Sequence, residues 1–442
     1  MAARAVGGTA GACRQSLPAK HLNQVLTRLS ASGFIHRIPL RADSAKDRRN
    51  RTLSNSVSVG AARPSEPLDG RSLDVLQQPQ GSDAELVSKP QVSGSVSSAY
   101  LPQEAVVRAE GDKGEAPARA ADNRTKEDLW KAAIKLPMYS VAVVPVMVGA
   151  AAAFMETGVF PGLQFSGIMA ASLLIILWLN LSNDAFDSDT NVDVAKAESV
   201  VNLLGGRRGL VLAGANAALF AGVAVMGCSI AMAGDVRVPL WLSIAVACGY
   251  VYQGPPFRLS YKGLGEPLCF AAFGPLATGA FYLAHAGTGA ATAAAGAGTA
   301  AVTIGPALWA CSVVVGITTT AILFCSHFHQ IEGDLAAGKM SPLVRLGPER
   351  ASRVLNGAVA VPYMMLAVGT ALGILPWPLA IASFASMPWA MELIDYVEAN
   401  HAVPSVIRYC KLYAIKWHCA MGLCLSLGFV ALGLVPDIPW LP

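Results

Sequence analysis

The sequence contains little charge for its length. Of its 442 residues, only 14% are Asp, Glu, Lys or Arg, whereas 53% are hydrophobic and the mean hydropathy is +0.46. Residues 129–442 carry 15 basic and 15 acidic side chains, so the overall charge of +4 comes from residues 1–128. This composition excludes a soluble enzyme, a disordered protein and a nucleic-acid-binding protein. It predicts a polar leader followed by a membrane domain.

The chain also lacks any Cys-x-x-Cys pair. Most of its nine cysteines lie in apolar runs, and their spacing is not that of metal ligands or of a disulfide framework. We therefore interpret these thiols as small buried hydrophobic side chains. They are Cys228, Cys248, Cys269, Cys311, Cys325, Cys419 and Cys424.

The first 42 residues contain no acidic side chain. They carry six basic residues among many Ala, Ser and Thr, and they have no long apolar core of the secretory type. This composition is typical of an organelle transit peptide, which we predict for residues 1–60; an ordinary disordered tail is the alternative. Residues 61–128 are polar and rich in Ser, Pro and Gly, so we predict a disordered linker there.

From residue 129 onward, which we predict to be the membrane domain 129–442, long apolar runs alternate with short polar breaks. Each run approaches the ~20 residues with which a helix crosses about 30 Å of hydrocarbon. The predicted fold class is therefore all-α, a polytopic membrane bundle of nine transmembrane helices. The predicted spans are 137–155, 165–183, 209–233, 238–254, 266–286, 303–326, 352–374, 377–395 and 415–435.

Basic residues gather on one side of this predicted bundle. With nine spans, 14 of the 15 Lys and Arg residues after position 128 share a face with the N-terminal end, and Arg237 alone lies opposite. Such an excess is typical of cytoplasmic loops. We therefore expect the basic face on the cytoplasm-equivalent side, which in an organelle is the stroma or matrix.

Four polar residues on one helical face end the second predicted span. Asn180, Asn183, Asp184 and Asp187 recur at spacings of three and four. Carboxylates this close repel each other unless a cation lies among them, and hard oxygen ligands suit Mg²⁺, which shares its shell with water and phosphate. A solvated acidic helix end is the alternative interpretation.

A second polar cluster follows the sixth predicted span. Gln330 and Asp334 are four residues apart and would share a helical face. Glu332 points away in a regular helix, but it could turn toward them if Gly333 loosens the backbone. His327 and His329 flank the cluster, although zinc ligation would lack partner cysteines.

Basic residues follow both acidic clusters. An acidic cluster followed by a basic one, twice on the same membrane face, is what binding an Mg²⁺–diphosphate requires, because the acids hold the metal and the cations neutralise phosphate charge. Any one of these cations could instead serve only as a topology anchor. The predicted diphosphate-binding residues are Lys196, Arg207 and Arg208 after the first cluster, and Lys339 and Arg345 after the second.

Three segments resemble the UbiA superfamily of intramembrane aromatic prenyltransferases, and the resemblance covers about residues 129–435. They are the stretch 180–193, the loop 252–266 with Gly-Pro-Pro and Tyr-Lys-Gly-Leu-Gly-Glu, and the run 334–347. The loop is similar to that of the 1,4-dihydroxy-2-naphthoate branch. The family's first motif, Asn-Asp-x-x-Asp-x-x-x-Asp, falls on Asn183, Asp184, Asp187 and Asn191, so an amide replaces its last acid, with Asp189 and Asp193 nearby. The second motif, Asp-x-x-x-Asp, falls on Gln330 and Asp334, so one acid is replaced.

The resemblance implies an Mg²⁺-dependent transfer of a prenyl group to an aromatic ring carbon at membrane depth. The implied metal ligands are Asn183, Asp184, Asp187, Glu332 and Asp334, of which Asp184, Asp187 and Asp334 are catalytic. Tyr250, Tyr252 and Phe257 could stabilise an allylic cation through their π faces, or they could be interface-belt residues. Arg258 or Lys262 could hold the acceptor carboxylate.

The leader and the branch together imply a chloroplast membrane, either the thylakoid or the inner envelope, with the active-site loops in the stroma. The donor would be phytyl diphosphate, the acceptor 1,4-dihydroxy-2-naphthoate, and the product, after loss of CO₂, the phylloquinone precursor. Another plastid acceptor such as homogentisate is an alternative. A secondary transporter is a further alternative, but transporters bind near the bilayer midplane, whereas both clusters here end spans on one face.

Overall fold

The computed structural model describes residues 125–190, 197–293 and 302–435. The predicted transit peptide and almost all of the predicted linker lie outside these residues, as do Asn191, Asp193 and Lys196. Within the described residues every regular element is helical and there is no strand. The predicted all-α class is therefore confirmed.

Sixteen α-helices, numbered here in chain order, make up this part of the chain. Their bounds are α1 Lys126–Ile134, α2 Ser140–Thr157, α3 Gly162–Asp187, α4 Val200–Leu203, α5 Arg208–Ile230, α6 Arg237–Gln253, α7 Gly265–Ala271, α8 Gly279–Ala293, α9 Pro306–His327, α10 Ile331–Ala336, α11 Pro342–Leu346, α12 Pro348–Ala371, α13 Trp377–Phe384, α14 Met387–Asn400, α15 Pro404–Ile407 and α16 Cys410–Leu434. Short 3-10 turns lie at Leu136–Tyr139, Ser188–Thr190, Ala231–Ala233, Leu259–Lys262 and Phe328–Gln330, and a π-helix joins α7 to α8 at Ala272–Thr278.

In the part of the chain that the structure describes, seven helical segments are long and apolar enough to cross a membrane, against nine predicted. They are Lys126–Thr157, Gly162–Thr190, Arg208–Ile230, Gly265–Gly289, Pro306–Ala336, Pro348–Ala371 and Pro404–Leu434. The two other predicted spans are also helical. However, α6 has only 17 residues, or about 25 Å, and the run 377–395 is divided into α13 and α14 at Ala385–Ser386.

The divided helix nevertheless runs back along α12. Tyr363, in the middle of α12, hydrogen-bonds Ser386 at the division with 2.8 Å between the oxygens. Near the start of α12, Asn356 donates a hydrogen bond to Glu398 near the end of α14. Since α13 begins just after α12 ends, these contacts show that α13 and α14 together match the length of α12 in the opposite direction.

Burial separates central from peripheral helices. In the α9 span 67% of the most apolar stretch is buried, compared with 28% in α5 and in α12. The exposed surface of α5 is itself apolar; Phe220, for example, is 73% exposed. A helix that is apolar on its outer face as well as its inner face is expected to contact lipid.

The π-helix Ala272–Thr278 lies against α9 at unusually short range. A Cβ added to Gly274 would lie 2.7 Å from the backbone oxygen of Ser312, so the two backbones touch where both residues are small. The segment contains Pro275, which cannot donate a backbone hydrogen bond, and the wider π turn accommodates it. Ala272 and Phe273 of this segment line a cavity.

Candidate active site

An apolar cavity of about 170 Å³ lies among α2, α3, α6, α7 and α9. Its few polar lining residues include Asn180 and Asn183 of the first motif and Tyr252 and Gln253 at the end of α6. A deeper chamber of about 80 Å³ shares lining residues such as Ile176 with it and is lined almost entirely by apolar side chains. The two chambers are adjacent, and together we call them the channel: the chamber near the first motif has polar lining residues and the other is apolar. The wall residues that they share are Val141, Ile176, Leu179, Gly249, Ala272 and Phe273.

Asn183, Asp184 and Asp187 of the first motif lie on a single continuous helix, as their spacing predicts. Helix α3 extends to Asp187 and passes into the 3-10 turn Ser188–Thr190. Asp184 is only 1% exposed, and both of its oxygens are engaged: Lys135 Nζ donates to Oδ1 at 2.8 Å, and the backbone N–H of Val200 donates to Oδ2 at 3.0 Å. Asp184 therefore fastens α1 and the start of α4 to the end of α3.

The other residues of the first motif differ in their surroundings. Asn183 lines the cavity, and Asp187 is half-buried one turn further along. Asp189 is exposed and forms an ion pair with Arg208, whose Nε lies 2.6 Å from Oδ1. Arg207 is exposed at the start of α5, next to this pair.

The second motif begins in the 3-10 turn that follows α9 and ends on α10. Asp334 is 1% exposed, and Lys339 Nζ donates to its Oδ1 at 3.2 Å. Its Oδ2 is buried without a hydrogen-bond partner. Gln330 is half-buried just before α10. Because α10 remains helical through Gly333, Glu332 stays on the exposed side, and the structure does not bring it to Asp334.

The loop 254–264, between α6 and α7, joins the two motifs. The hydroxyl oxygens of Tyr261 and Thr190 lie 2.7 Å apart, which ties the loop to the end of the first motif. The backbone N–H of Met340 donates to the Tyr261 carbonyl at 2.9 Å, and Arg345 donates to the Lys262 carbonyl at 2.7 Å. Arg345 thus supports the loop from the segment that follows the second motif.

The hydroxyl of Tyr261 experiences the charge of both motifs. Burial raises its pKa above the ordinary value for tyrosine, the hydrogen bond to Thr190 partly offsets this rise, and the carboxylates of Asp187 and Asp334 raise the pKa further. The acidic residues of the two motifs, which are 147 positions apart in the numbering, therefore act on the same region.

Of the five residues predicted to contact the acceptor or the cation, Tyr252 lines the cavity, whereas Phe257 is exposed. Tyr250 is 40% exposed and donates its hydroxyl proton to the Pro255 carbonyl at 2.7 Å, as an interface residue would. Arg258 lies 6.0 Å from the centre of the Tyr261 ring, and Lys262 is exposed. The structure thus places Arg258 and Lys262 in the loop rather than in the cavity wall.

The donor set fits magnesium whose coordination shell is completed by a substrate. Among the described residues, no group of three or more His, Cys, Asp or Glu side chains lies close enough to hold a metal ion alone. The site does offer hard oxygen atoms from Asn183, Asp187 and Asp334, including the buried, unpartnered Oδ2 of Asp334. Mg²⁺ is commonly bound through one or two carboxylates, several waters and substrate phosphates.

Sequence reasoning missed three contacts at this end of the bundle. Lys135 resembles any other cation of the basic face, and 49 positions separate it from Asp184. Tyr261 carries no signal of its contact with Thr190. A buried pair formed by Glu266 and His327 joins residues 61 positions apart, with 3.1 Å between Oε1 and Nδ1. None of these pairings has a spacing that a sequence pattern could reveal.

Comparison with known proteins now defines the class. The sequence profile of the UbiA prenyltransferase family matches residues 142–415. The chain belongs to the UbiA prenyltransferase family. This membership agrees with the resemblance noted in its motifs and sets aside the transporter alternative.

Two relatives are similar over most of the membrane domain. The chain is 48% identical over 302 residues to the chloroplastic 2-carboxy-1,4-naphthoquinone phytyltransferase of Arabidopsis thaliana, which covers 68% of this chain and 76% of the relative. It is 44% identical over 306 residues to the 2-carboxy-1,4-naphthoquinone phytyltransferase of a Synechocystis species, covering 69% of this chain and 94% of the relative. A solved structure of a UbiA homologue from Archaeoglobus fulgidus, bound to DMAPP and Mg²⁺, aligns at 16% identity with a TM-score of 0.41, over 70% of this chain and 99% of that one.

Proposed function

We propose that this protein transfers a phytyl group from phytyl diphosphate to 1,4-dihydroxy-2-naphthoate, releasing diphosphate and CO₂ and forming the phylloquinone precursor. The observation that carries the proposal is the channel described above. It presents motif residues at its polar end and continues into an almost wholly apolar chamber. The names of the two relatives at 48% and 44% identity support the choice of donor and acceptor.

The shape of the channel suits a substrate with an ionic head and a hydrocarbon tail. A prenyl tail in the apolar chamber leaves water, and the free energy gained is about 0.8 kcal/mol for each buried CH₂. Its diphosphate head then lies at the polar end, beside Asn183. The reacting C–O bond of the donor then lies between the polar end of the channel and the apolar chamber.

In this proposal Asn183, Asp187 and Asp334 hold Mg²⁺, with Glu332 outside the ligand set because it is exposed. Bound magnesium would neutralise charge on the departing diphosphate. Lys339 lies 3.2 Å from Asp334, and in this proposal it binds the same phosphate oxygens. Arg207 and Lys196 add positive charge from the segment after α3, whereas Asp189 engages Arg208.

The surroundings of the cation complete the proposed chemistry. The π face of Tyr252 at the cavity wall stabilises an allylic cation. The loop 254–264 holds the two motifs together, because Tyr261 contacts the end of the first motif and Arg345, which follows the second motif, donates a hydrogen bond to the loop. The low dielectric of the apolar wall strengthens each of these electrostatic interactions.

We also propose a location and a topology. The Arabidopsis relative is named chloroplastic, and a chloroplast membrane agrees with the acid-free leader of this chain. The chain would cross that membrane nine times, with α6 and the divided pair α13–α14 as the two shorter crossings and with the basic face in the stroma.

Product identification tests the proposal. Membranes from a host without an aromatic prenyltransferase, containing the full chain, would receive 1,4-dihydroxy-2-naphthoate or homogentisate with phytyl, geranylgeranyl or farnesyl diphosphate. We expect mass spectrometry to show a decarboxylated phytyl naphthalenediol that forms with Mg²⁺ and not with excess chelator. A product formed only from homogentisate, or one that keeps the carboxylate, would contradict the proposal.

A further inference from the structure

A buried acid–histidine pair lies beside the channel and has no part in the chemistry described so far. Glu266, at the start of α7, is 8% exposed, and His327, the last residue of α9, is 3% exposed. His327 Nδ1 lies 3.1 Å from Glu266 Oε1, and with the carboxylate as acceptor this nitrogen is the donor. The second carboxylate oxygen, Oε2, is buried and has no hydrogen-bond partner.

Both members of the pair continue walls of the channel toward its polar end. Glu266 precedes the lining residue Cys269 by three positions on α7, and His327 follows the lining residue Leu323 by four positions on α9. These spacings place each member one helical turn from a residue that lines the channel. Tyr252 packs against the same end of α7, since a Cβ on Gly265 would lie 2.7 Å from its ring.

A purely structural role does not explain this arrangement. A buried carboxylate oxygen without a partner is destabilising, typically by about 1–3 kcal/mol and more for a charged group. His327 offsets that cost at Oε1 only. The pair therefore leaves Oε2 of Glu266 buried and without a partner, on a side chain one helical turn from a residue that lines the channel.

We propose that Glu266 is the acid–base residue for the aromatic acceptor and that His327 positions it. The inference rests on the proposed function, because it assigns the proton of an acceptor hydroxyl. Glu266 Oε2 takes that proton as the ring attacks and gives it back when CO₂ departs.

The steps balance with no further reactant. The C–O bond of the prenyl diphosphate breaks and its electron pair leaves with diphosphate. The ring carbon that bears the carboxylate forms the new C–C bond, while the adjacent hydroxyl loses its proton to Glu266 and becomes a ketone. The bond to the carboxylate then breaks, CO₂ leaves, and its electron pair returns to the ketone oxygen, which recovers the proton from Glu266.

The decisive variant is Glu266→Gln. The glutamine oxygen can still accept the hydrogen bond from His327, but the amide nitrogen in place of Oε2 cannot accept a proton. Because a positioned acid–base group contributes roughly 10²–10⁴-fold, we expect kcat for transfer to fall at least ~100-fold. The KM for phytyl diphosphate and the acceptor-independent, Mg²⁺-dependent hydrolysis of that donor should stay within about twofold, which also shows that the variant has folded.

A second readout separates proton transfer from packing. Raising the pH ionises the acceptor hydroxyl, so Glu266→Gln should gain rate with pH while the parent changes less. Ring-fluorinated naphthoates have more acidic hydroxyls, so they should likewise reduce the difference in rate between Glu266→Gln and the parent. A loss that is equal for every acceptor and at every pH would make Glu266 a structural residue and overturn the inference.

Two further variants keep the test informative if Glu266→Gln does not accumulate. His327→Asn, whose amide nitrogen takes the place of the donating Nδ1, should keep activity within about tenfold of the parent, whereas His327→Leu should lose much more. Glu156→Gln is the matched control, since Glu156 accepts a hydrogen bond from Tyr282 and lies on α2 away from both motifs. Equal activity of His327→Leu and the parent would overturn the positioning role.

The proposed function can fail separately. If the parent prenylates only homogentisate, the naphthoate proposal is wrong, and the same variants are then compared on homogentisate. Full activity of Glu266→Gln on whichever acceptor the parent uses would overturn the acid–base assignment and leave the acceptor assignment intact.

Discussion

At the scale of single residues, each motif contains one deeply buried aspartate paired with a lysine. Asp184 pairs with Lys135 and Asp334 with Lys339. The two aspartates differ at Oδ2. Oδ2 of Asp184 accepts a hydrogen bond from the backbone, whereas Oδ2 of Asp334 has no partner. Two acids that look equivalent in the sequence therefore have different surroundings, and their variants should behave differently.

Asp334→Asn should abolish most activity without affecting accumulation. The change keeps the volume of the side chain and removes the negative charge proposed to hold metal, so we expect transfer to fall about 100-fold. Glu332→Gln is the matched control on the same short helix, and because Glu332 is exposed it should follow the parent throughout a magnesium titration. A loss in Glu332→Gln comparable to that in Asp334→Asn would mean that α10 unwinds when substrate binds.

Asp184→Ala should lower stability as well as activity. It leaves Lys135, whose side chain is 21% exposed, without its partner and removes the acceptor of the Val200 N–H. Breaking a buried ion pair from one side costs roughly 3 kcal/mol, so the inactivation temperature of the membrane-bound protein should fall. Adding Lys135→Met should recover part of that loss, and a double variant no more stable than Asp184→Ala would contradict this account.

Sequence reasoning predicts what is arranged within one helix, but it does not predict contacts between helices. Local spacing predicts that α3 carries Asn183, Asp184 and Asp187, because periodicity within one helix needs no tertiary information. The ion pair between Lys135 and Asp184 and the contact between His327 and Glu266 cannot be predicted in this way. Both depend on how helices far apart in the chain pack together. The division between α13 and α14 has a partial signal in Pro388, which starts a helix more readily than it continues one.

At the scale of elements, the loop 254–264 determines whether the two motifs form one site. Its conformation depends on Gly263, which has φ +76° and lies against the segment that follows the second motif: an added Cβ would be 2.7 Å from the Met340 carbonyl oxygen. The loop is therefore constrained both by its own backbone and by its neighbour.

Gly263→Ala should reduce transfer about tenfold while the protein still inserts. The substitution forces an L side chain into the left-handed region and against Met340, which costs roughly 1–3 kcal/mol of backbone strain and displaces the loop. Gly338→Ala is the matched control, since Gly338 has φ +71° but no atom within 4 Å of the added Cβ. Protease cleavage of the loop should increase in the first variant only. Equal effects would mean that strain, and not the contact with Met340, decides the outcome.

At the scale of the whole molecule, the number of crossings depends on α6 and the pair α13–α14. The contacts of Tyr363 and Asn356 place the divided pair alongside the full length of α12. If the pair crosses the bilayer, the exposed residues Leu372 and Ala402, which lie on either side of it, are on opposite membrane faces.

Leu372→Cys and Ala402→Cys, each in a chain without other accessible thiols, test that topology. In sealed, oriented membranes an impermeant thiol reagent should reach Ala402→Cys from the side that carries the basic loops and Leu372→Cys from the other side. Glu332→Cys marks the basic side as the reference. Reaction of both test positions from the same side would make α13–α14 a re-entrant hairpin and remove one crossing.

The divided helix also has a consequence for biogenesis. With 8 residues, α13 is far shorter than the ~20 that a segment needs to partition into lipid by itself. The junction carries the hydroxyl of Ser386, and its partner Tyr363 belongs to α12. We therefore expect the pair to enter the bilayer together with α12, as one unit, after the polar groups of the junction have found their partner. In this protein the order in which helices leave the translocation machinery would thus depend in part on the hydrogen bond that joins the junction to α12 in the middle of the bundle.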